Sequence, residues 1–137
     1  MGQKNKGSAA ERELVHMFND TKLWGAIRVA GSGLTADPNP DVLAGNSSRK
    51  LAIECKAVKA SSKYLYPDEV QQILDFSSRF GAEAWFGIKF NNKGWFFLRP
   101  EQLNKSKSNN MHVVTFELAN TIGLKFSDLI KEELKNG

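Results

Sequence analysis

A short stretch from Pro40 to Lys56 constrains the fold more than any other part of this chain. It reads Pro40-Asp41-Val42-Leu43-Ala44, then Gly45-Asn46-Ser47-Ser48, then Arg49-Lys50-Leu51-Ala52-Ile53-Glu54-Cys55-Lys56. Gly, Asn and Ser in succession mark a turn, and both flanks are apolar enough to be strands. A hairpin folded about Ser47-Ser48 sets Asp41 opposite Glu54, because the two are symmetric about that turn. Directly opposed residues of an antiparallel pair hold their Cβ atoms roughly 5 Å apart. Period-two alternation sends Glu54 and Lys56 to one face and Leu51, Ile53 and Cys55 to the other.

Two carboxylates that close repel one another, and the arrangement costs stability unless a cation sits between them. A hard divalent ion with oxygen ligands, magnesium above all, suits such a pair. Lys56, one pleat along, then reaches the same centre and can steady the charge that builds on an attacked phosphate. The plainer alternative is an exposed hairpin with ordinary surface charges.

Composition narrows the choice. The 137 residues fit one domain, with 41% hydrophobic and 25% charged residues, as in an ordinary globular protein. No apolar run approaches the roughly 20 residues that span a bilayer, and the polar N-terminus does not resemble a signal peptide. Cys55 is the single cysteine, so no intramolecular disulfide forms, and the chain suits a reducing cytoplasm. With only His16 and His112 beside it, a structural zinc site is not expected, and any metal is held mainly by oxygen. A net charge of +4 permits nucleic-acid binding without requiring it.

Along the chain, residues 1–7 read as a disordered tail and 8–137 as a single domain. Ser8 with Glu11 three positions on has the capping-box spacing, opening a helix with an Ala10, Leu14, Met17, Phe18 stripe. Ile27 to Val29 reads as a short strand. Gly31 to Pro40 is too rich in breakers to be regular and forms a loop running into Asp41. Pro67-Asp68 opens a second helix, closed by Gly81. Ala84 to Phe90 and Trp95 to Leu98 read as strands, Lys105 to Asn110 as a polar loop, and Val113-Val114 as an edge strand. Ser127 caps a final helix carrying Leu129, Ile130 and Leu134. The order suggests an α/β domain, a mixed sheet flanked by helices.

Several blocks resemble a known family. Ala10-Glu11-Arg12-Glu13-Leu14, Arg28-Val29-Ala30-Gly31-Ser32-Gly33, Pro40 to Asn46 and Ile53-Glu54-Cys55-Lys56 occur in order, followed by Phe80 to Ala84 and Ile88-Lys89-Phe90. Together they resemble the archaeal Holliday junction resolvases, a branch of the PD-(D/E)xK nucleases, from about Gly7 to Leu98. The resemblance implies a restriction-endonuclease-like fold and a homodimer that nicks two opposed strands of a four-way DNA junction in recombination and repair. It implies magnesium, with manganese as a substitute. Asp41 and Glu54 correspond to the central metal ligands, joined by the Cys55 main-chain carbonyl and the helix-borne Glu11. Lys56 corresponds to the charge stabiliser and Ser32 to a serine of the mobile loop. A sliding clamp or other repair proteins are candidate partners, with a nucleoid-associated place in the cytoplasm and no membrane. The Pro38-Asn39-Pro40 approach to Asp41 departs from some members of the family.

Each remaining residue has two readings. Glu11 is a metal ligand or the capping-box partner of Ser8. Arg12 and Arg28 grip phosphates or are solvated charges. Lys89 interrupts an apolar strand, so it pairs with a carboxylate or points into a DNA-binding cleft. Gly31, Ser32 and Gly33 let a backbone approach DNA closely, and Ser32 has no evident base that would make it a nucleophile. Phe76 and Phe80 lie one helical turn apart, as core or as a dimer contact. Two rivals stand beside junction resolution: a related nuclease acting on other DNA, and a non-catalytic junction-binding paralogue. The paralogue predicts a broken set of Glu11, Asp41, Glu54 and Lys56, whereas all four are present.

Overall fold

The computed structural model describes residues 2–30, 37–107 and 110–131. Helix α1 (Gly2–Asp20) leads into strand β1 (Gly25–Arg28), and the hairpin follows as β2 (Val42–Gly45) and β3 (Lys50–Val58). Next come β4 (Ser62–Leu65), helix α2 (Pro67–Phe80), β5 (Glu83–Phe90) and β6 (Gly94–Leu98). Beyond a single 3-10 turn lie β7 (Asn104–Lys105), β8 (His112–Thr115), α3 (Phe116–Ile122) and α4 (Phe126–Leu129).

Five strands form one mixed sheet in the order β1-β2-β3-β5-β6. The hairpin register pairs Val42 with Ile53 and Gly45 with Lys50, so its centre falls at Ser47-Ser48 as the sequence requires. Strands β3 and β5 run parallel, and α2 supplies the crossover that parallel neighbours need. Pro67 begins that helix, and Gly81, at φ 82°, ends it in the left-handed region that glycine enters without strain.

Apolar side chains cover both faces of the sheet. Leu14 and Phe18 of α1 pack with Leu51, Ile53 and Phe97 on one side. Val70 and Ile73 of α2 pack with Ala52, Phe86 and Ile88 on the other. The alternation along β3 therefore holds: Ile53 faces α1, and Ala52, with Glu54 beyond it, faces α2. Gly87 lies in a close-packed part of the sheet, since an added Cβ would stand 3.0 Å from the Phe97 ring. At the hairpin turn the buried Arg49 grips Glu83 with two hydrogen bonds of 2.8 and 2.9 Å. It also donates to the Leu129 carbonyl at 2.7 Å, tying the turn to β5 and α4.

Four local expectations need correction. Helix α1 begins at Gly2, so Ser8 lies inside it instead of capping it, and the expected boundary of a tail at Gly7 falls within the helix. Val113-Val114 does not form an edge: β8 is the middle strand of a separate sheet ordered β4-β8-β7, whose outer strands were not legible in sequence. Helix α3, capped by the Thr115 hydroxyl, has no counterpart among the elements expected from sequence. The N-cap of α4 is Lys125, with Ser127 two residues on, inside the first turn, and Leu134 lies outside the described residues. No described helix is long and apolar enough to cross a membrane.

Candidate active site

Asp41 stands just before β2, its backbone fixed on both sides. Its N–H donates to the Ile53 carbonyl at 3.0 Å, and its own carbonyl accepts from the Val29 N–H at 2.8 Å. The Asp41 carboxylate accepts from the Cys55 N–H at 2.8 Å, which holds the acid against the end of β3. Glu54 is its neighbour across the hairpin. Burial, and next the Asp41 charge, push the Glu54 carboxyl up from 4.5 to about 8. The register sets the pair opposite one another as the turn symmetry requires, and burial first, then the Asp41 charge, favours the protonated form of Glu54.

Lys56 points to the same side of β3. Its ammonium lies 3.9 Å from Glu54 and makes a direct hydrogen-bonded ion pair with Glu69, in the first turn of α2. Burial would lower the Lys56 pKa, but the Glu69 hydrogen bond and charge, with Glu54 behind it, reverse that, and the net direction is upward. Glu69 also accepts the Tyr66 N–H at 2.9 Å, closing the first turn of the helix. Sequence reasoning missed Glu69; its one signal was an acid two residues after Pro67, which also reads as an ordinary helix cap.

Glu11 approaches from α1. Its carboxylate accepts from the Arg28 Nε at 2.8 Å, and Arg28 Nη2 donates to the Ser8 hydroxyl at 3.0 Å. Burial raises the Glu11 pKa, the Arg28 hydrogen bond opposes it, and the Asp41 charge adds to the rise. The capping-box role is therefore not the one observed, and Arg28 binds an acid instead of standing free. The Cys55 thiol is pushed well above 9.0, first by burial and then by the charges of Asp41, Glu11 and Glu54.

Arg12 is exposed beside Glu11 on α1. Lys89 takes the first of its two readings: it donates to Glu13 at 2.9 Å, and Glu13 accepts the Trp95 indole N–H at 2.7 Å. Gly31, Ser32 and Gly33 lie outside the described residues.

The donor set fits a hard divalent cation. It is built of carboxylate oxygens, the thiol stays protonated, and the proton held by Glu54 marks a place where positive charge is wanted. Asp41 and Glu54 would hold the ion. Among the described residues no three acidic, histidine or cysteine side chains already stand at ligating separation, and the Glu11 carboxylate is bonded to Arg28.

The sequence profile described as archaeal Holliday junction resolvase (hjc) matches residues 2–136. This chain belongs to that family. The crossover junction endodeoxyribonuclease Hjc of Archaeoglobus fulgidus is 36% identical over 140 residues, covering 96% of this chain and 99% of that protein. The Hjc of Methanocaldococcus jannaschii is 30% identical over 125 residues, covering 91% and 86%. The solved structure of A. fulgidus Hjc, described as a Holliday junction resolvase from an archaeal hyperthermophile, superposes with a TM-score of 0.81. That match covers 90% of this chain and 97% of the other at 34% identity. The restriction-endonuclease-like reading of the fold is thereby supported at both levels.

At the far end of α2 from Glu69, this family member displays the two phenylalanines singled out in sequence. Their rings stack at 5.1 Å; Phe76 is partly buried against the core, and Phe80 is 50% exposed. Trp85, by contrast, is fully inside. Phe80 borders a shallow hollow lined by Ala26, Ile27, Leu43 and Lys50, and Ile27 beside it is 62% exposed.

Proposed function

We propose that this chain is a metal-dependent endonuclease that hydrolyses phosphodiesters at four-way DNA junctions, nicking two opposed strands. The observation that carries this is the Asp41–Glu54 pair with Lys56 beside it, in a chain that matches the resolvase family along nearly its whole length. Magnesium, with manganese as a substitute, would supply charge neutralisation and a Lewis acid for water activation. Asp41 and Glu54 would hold it, with the Cys55 carbonyl and Glu11 completing the set once Arg28 lets go. Arg28 and Arg12 would receive backbone phosphates, and a phosphate that draws the Arg28 guanidinium away would free Glu11. Lys56 offers its ammonium to the charge developing on the attacked phosphate.

The substrate has two equivalent strands, which calls for two equivalent sites, so the active form is a two-fold dimer. Phe80 and Ile27 offer an apolar contact for it. The edge of β1 is less available, because the Asn19 side chain bonds both the N–H (3.0 Å) and the carbonyl (3.2 Å) of Ala26.

The test is incubation of the purified protein with a labelled four-way junction or a linear duplex of the same sequence, with magnesium or with chelator. Paired nicks in the junction alone, abolished by chelator, are expected. Asp41→Asn should bind the junction but not cut it, since its amide oxygen still accepts the Cys55 N–H while the anionic ligand is gone. Equal cutting of the linear duplex, or full activity of folded Asp41→Asn, overturns the proposal.

A further inference from the structure

Lysine is a poor residue to hold still. Its four-carbon stem carries about 2 kcal/mol of rotamer entropy, and its ammonium pairs with whichever anion lies nearest. At Lys56 the nearest carboxyl groups on its own strand and just before β2 are Glu54 and Asp41, the acids meant for the metal. An ammonium settled between them would occupy the ground the cation needs. The structure has a different arrangement. Glu54 stays at 3.9 Å, outside hydrogen-bond distance, while the direct partner of Lys56 is Glu69.

Glu69 is itself anchored. Its second oxygen accepts the Tyr66 N–H at 2.9 Å. That donor is the N-cap residue of α2, whose chain direction is set by Pro67 at the first helical position. Val70, the next residue, is buried in the core and fixes the helix against the sheet. The carboxylate is therefore held by a rigid element on one side and presents one oxygen to the ammonium on the other.

We propose that Glu69 is a positioning residue for the cleavage reaction: it holds the Lys56 ammonium beside the Asp41–Glu54 pair and out of the metal's place. The inference rests on the nuclease reading above and adds to it a fourth acid that neither binds metal nor touches the substrate. Glu69 matters most when the site is loaded. With a cation held by Asp41 and Glu54, neither acid is left to attract Lys56, and Glu69 is the anion that orients it.

The experiment compares Glu69→Ala, Glu69→Gln, Lys56→Ala and the Lys56→Ala/Glu69→Ala double variant with the wild-type dimer, on a four-way junction with saturating magnesium. Single-turnover rates and junction affinities are measured separately, and thermal unfolding in chelator checks each fold. Glu69→Ala should slow cleavage roughly 10- to 100-fold, the range seen when a residue supporting a reactive group is removed. Its junction affinity should stay within about 2-fold, which is less than 0.5 kcal/mol. Glu69→Gln, whose amide oxygen can still accept from Lys56, should recover part of the rate. The double variant should be no slower than Lys56→Ala, because Glu69 acts through that lysine. Proton–nitrogen NMR supplies a readout apart from activity: a slowly exchanging Lys56 ammonium signal in the wild type, lost in Glu69→Ala. A folded Glu69→Ala protein cutting at the wild-type rate overturns the inference and leaves the nuclease reading intact. So does a double variant slowed by the full product of the two single effects. A Lys56→Ala protein that cuts like the wild type overturns both.

Discussion

Replacing Glu54 by glutamine removes the charge that this site finds hardest to bury, and the structure fixes the sign of the result. Below pH 4.5 the carboxyl is protonated in the folded and the unfolded chain alike. Between 4.5 and about 8 the unfolded chain gives up the proton and the folded one keeps it. The unfolded state then binds fewer protons, so metal-free stability falls as pH rises through that window and levels off above it. The interval from 4.5 to about 8 corresponds to about 5 kcal/mol at 1.36 kcal/mol for each pH unit. Because 21% of the Glu54 side chain remains exposed, water screens part of this, and a loss of ~2–4 kcal/mol is the working figure. Glu54→Gln cannot titrate and escapes it. In chelator, urea unfolding followed by the buried Trp24, Trp85 and Trp95 should show the variant's advantage growing by that amount from about pH 5 to about pH 9. Magnesium should restore the wild type at the high end, since it binds the folded state alone, and leave the variant unchanged. A difference between the two proteins that stays constant with pH would refute the assignment of Glu54 as the strained member of the pair.

Other perturbations probe the rest of the site and its support. Arg28→Ala should free Glu11 and tighten DNA-free magnesium binding by calorimetry, about 1.4- to 5-fold if the contact is worth the ~0.2–1 kcal/mol of an exposed ion pair. The same variant should bind the junction less well; weaker metal binding would contradict the idea that Arg28 withholds Glu11 from the metal. Phe80→Glu should yield a folded monomer by sedimentation and single nicks in place of paired ones, because the ring is half exposed and its loss opens no core cavity. A dimer that survives the substitution would place the interface elsewhere. Arg49→Gln should lower stability in urea by about 3–5 kcal/mol, since it strips a buried partner from Glu83, while leaving cleavage chemistry untouched; a loss near zero would show that Glu83 finds another donor.

The hairpin was legible because its information is local. A turn of Gly, Asn and Ser between two apolar runs fixes the register, and the register alone brings Asp41 to Glu54 and puts Lys56 on the same face. Helix α2 was legible for a similar reason, with Pro67 and Gly81 marking both ends. Family resemblance then gave these residues a chemistry that spacing could not, since paired acids on a hairpin are also common at plain surfaces.

Partner choice was another matter. Glu11 has Ser8 at capping distance in the sequence, yet it meets Arg28, because the helix starts earlier and β1 folds back alongside it. Lys89 looked open to a cleft until α1 delivered Glu13 across the sheet. Glu69 reads as a helix cap and nothing more until α2 crosses from β3 to β5 and sets its first turn over Lys56. Strand β8 looked like an edge until β4 and β7 closed on both its sides. Periodicity and turn chemistry act over a few residues and decide which face a side chain takes. Which charge it meets on that face depends on segments far along the chain, and only the packed tertiary structure brings those together.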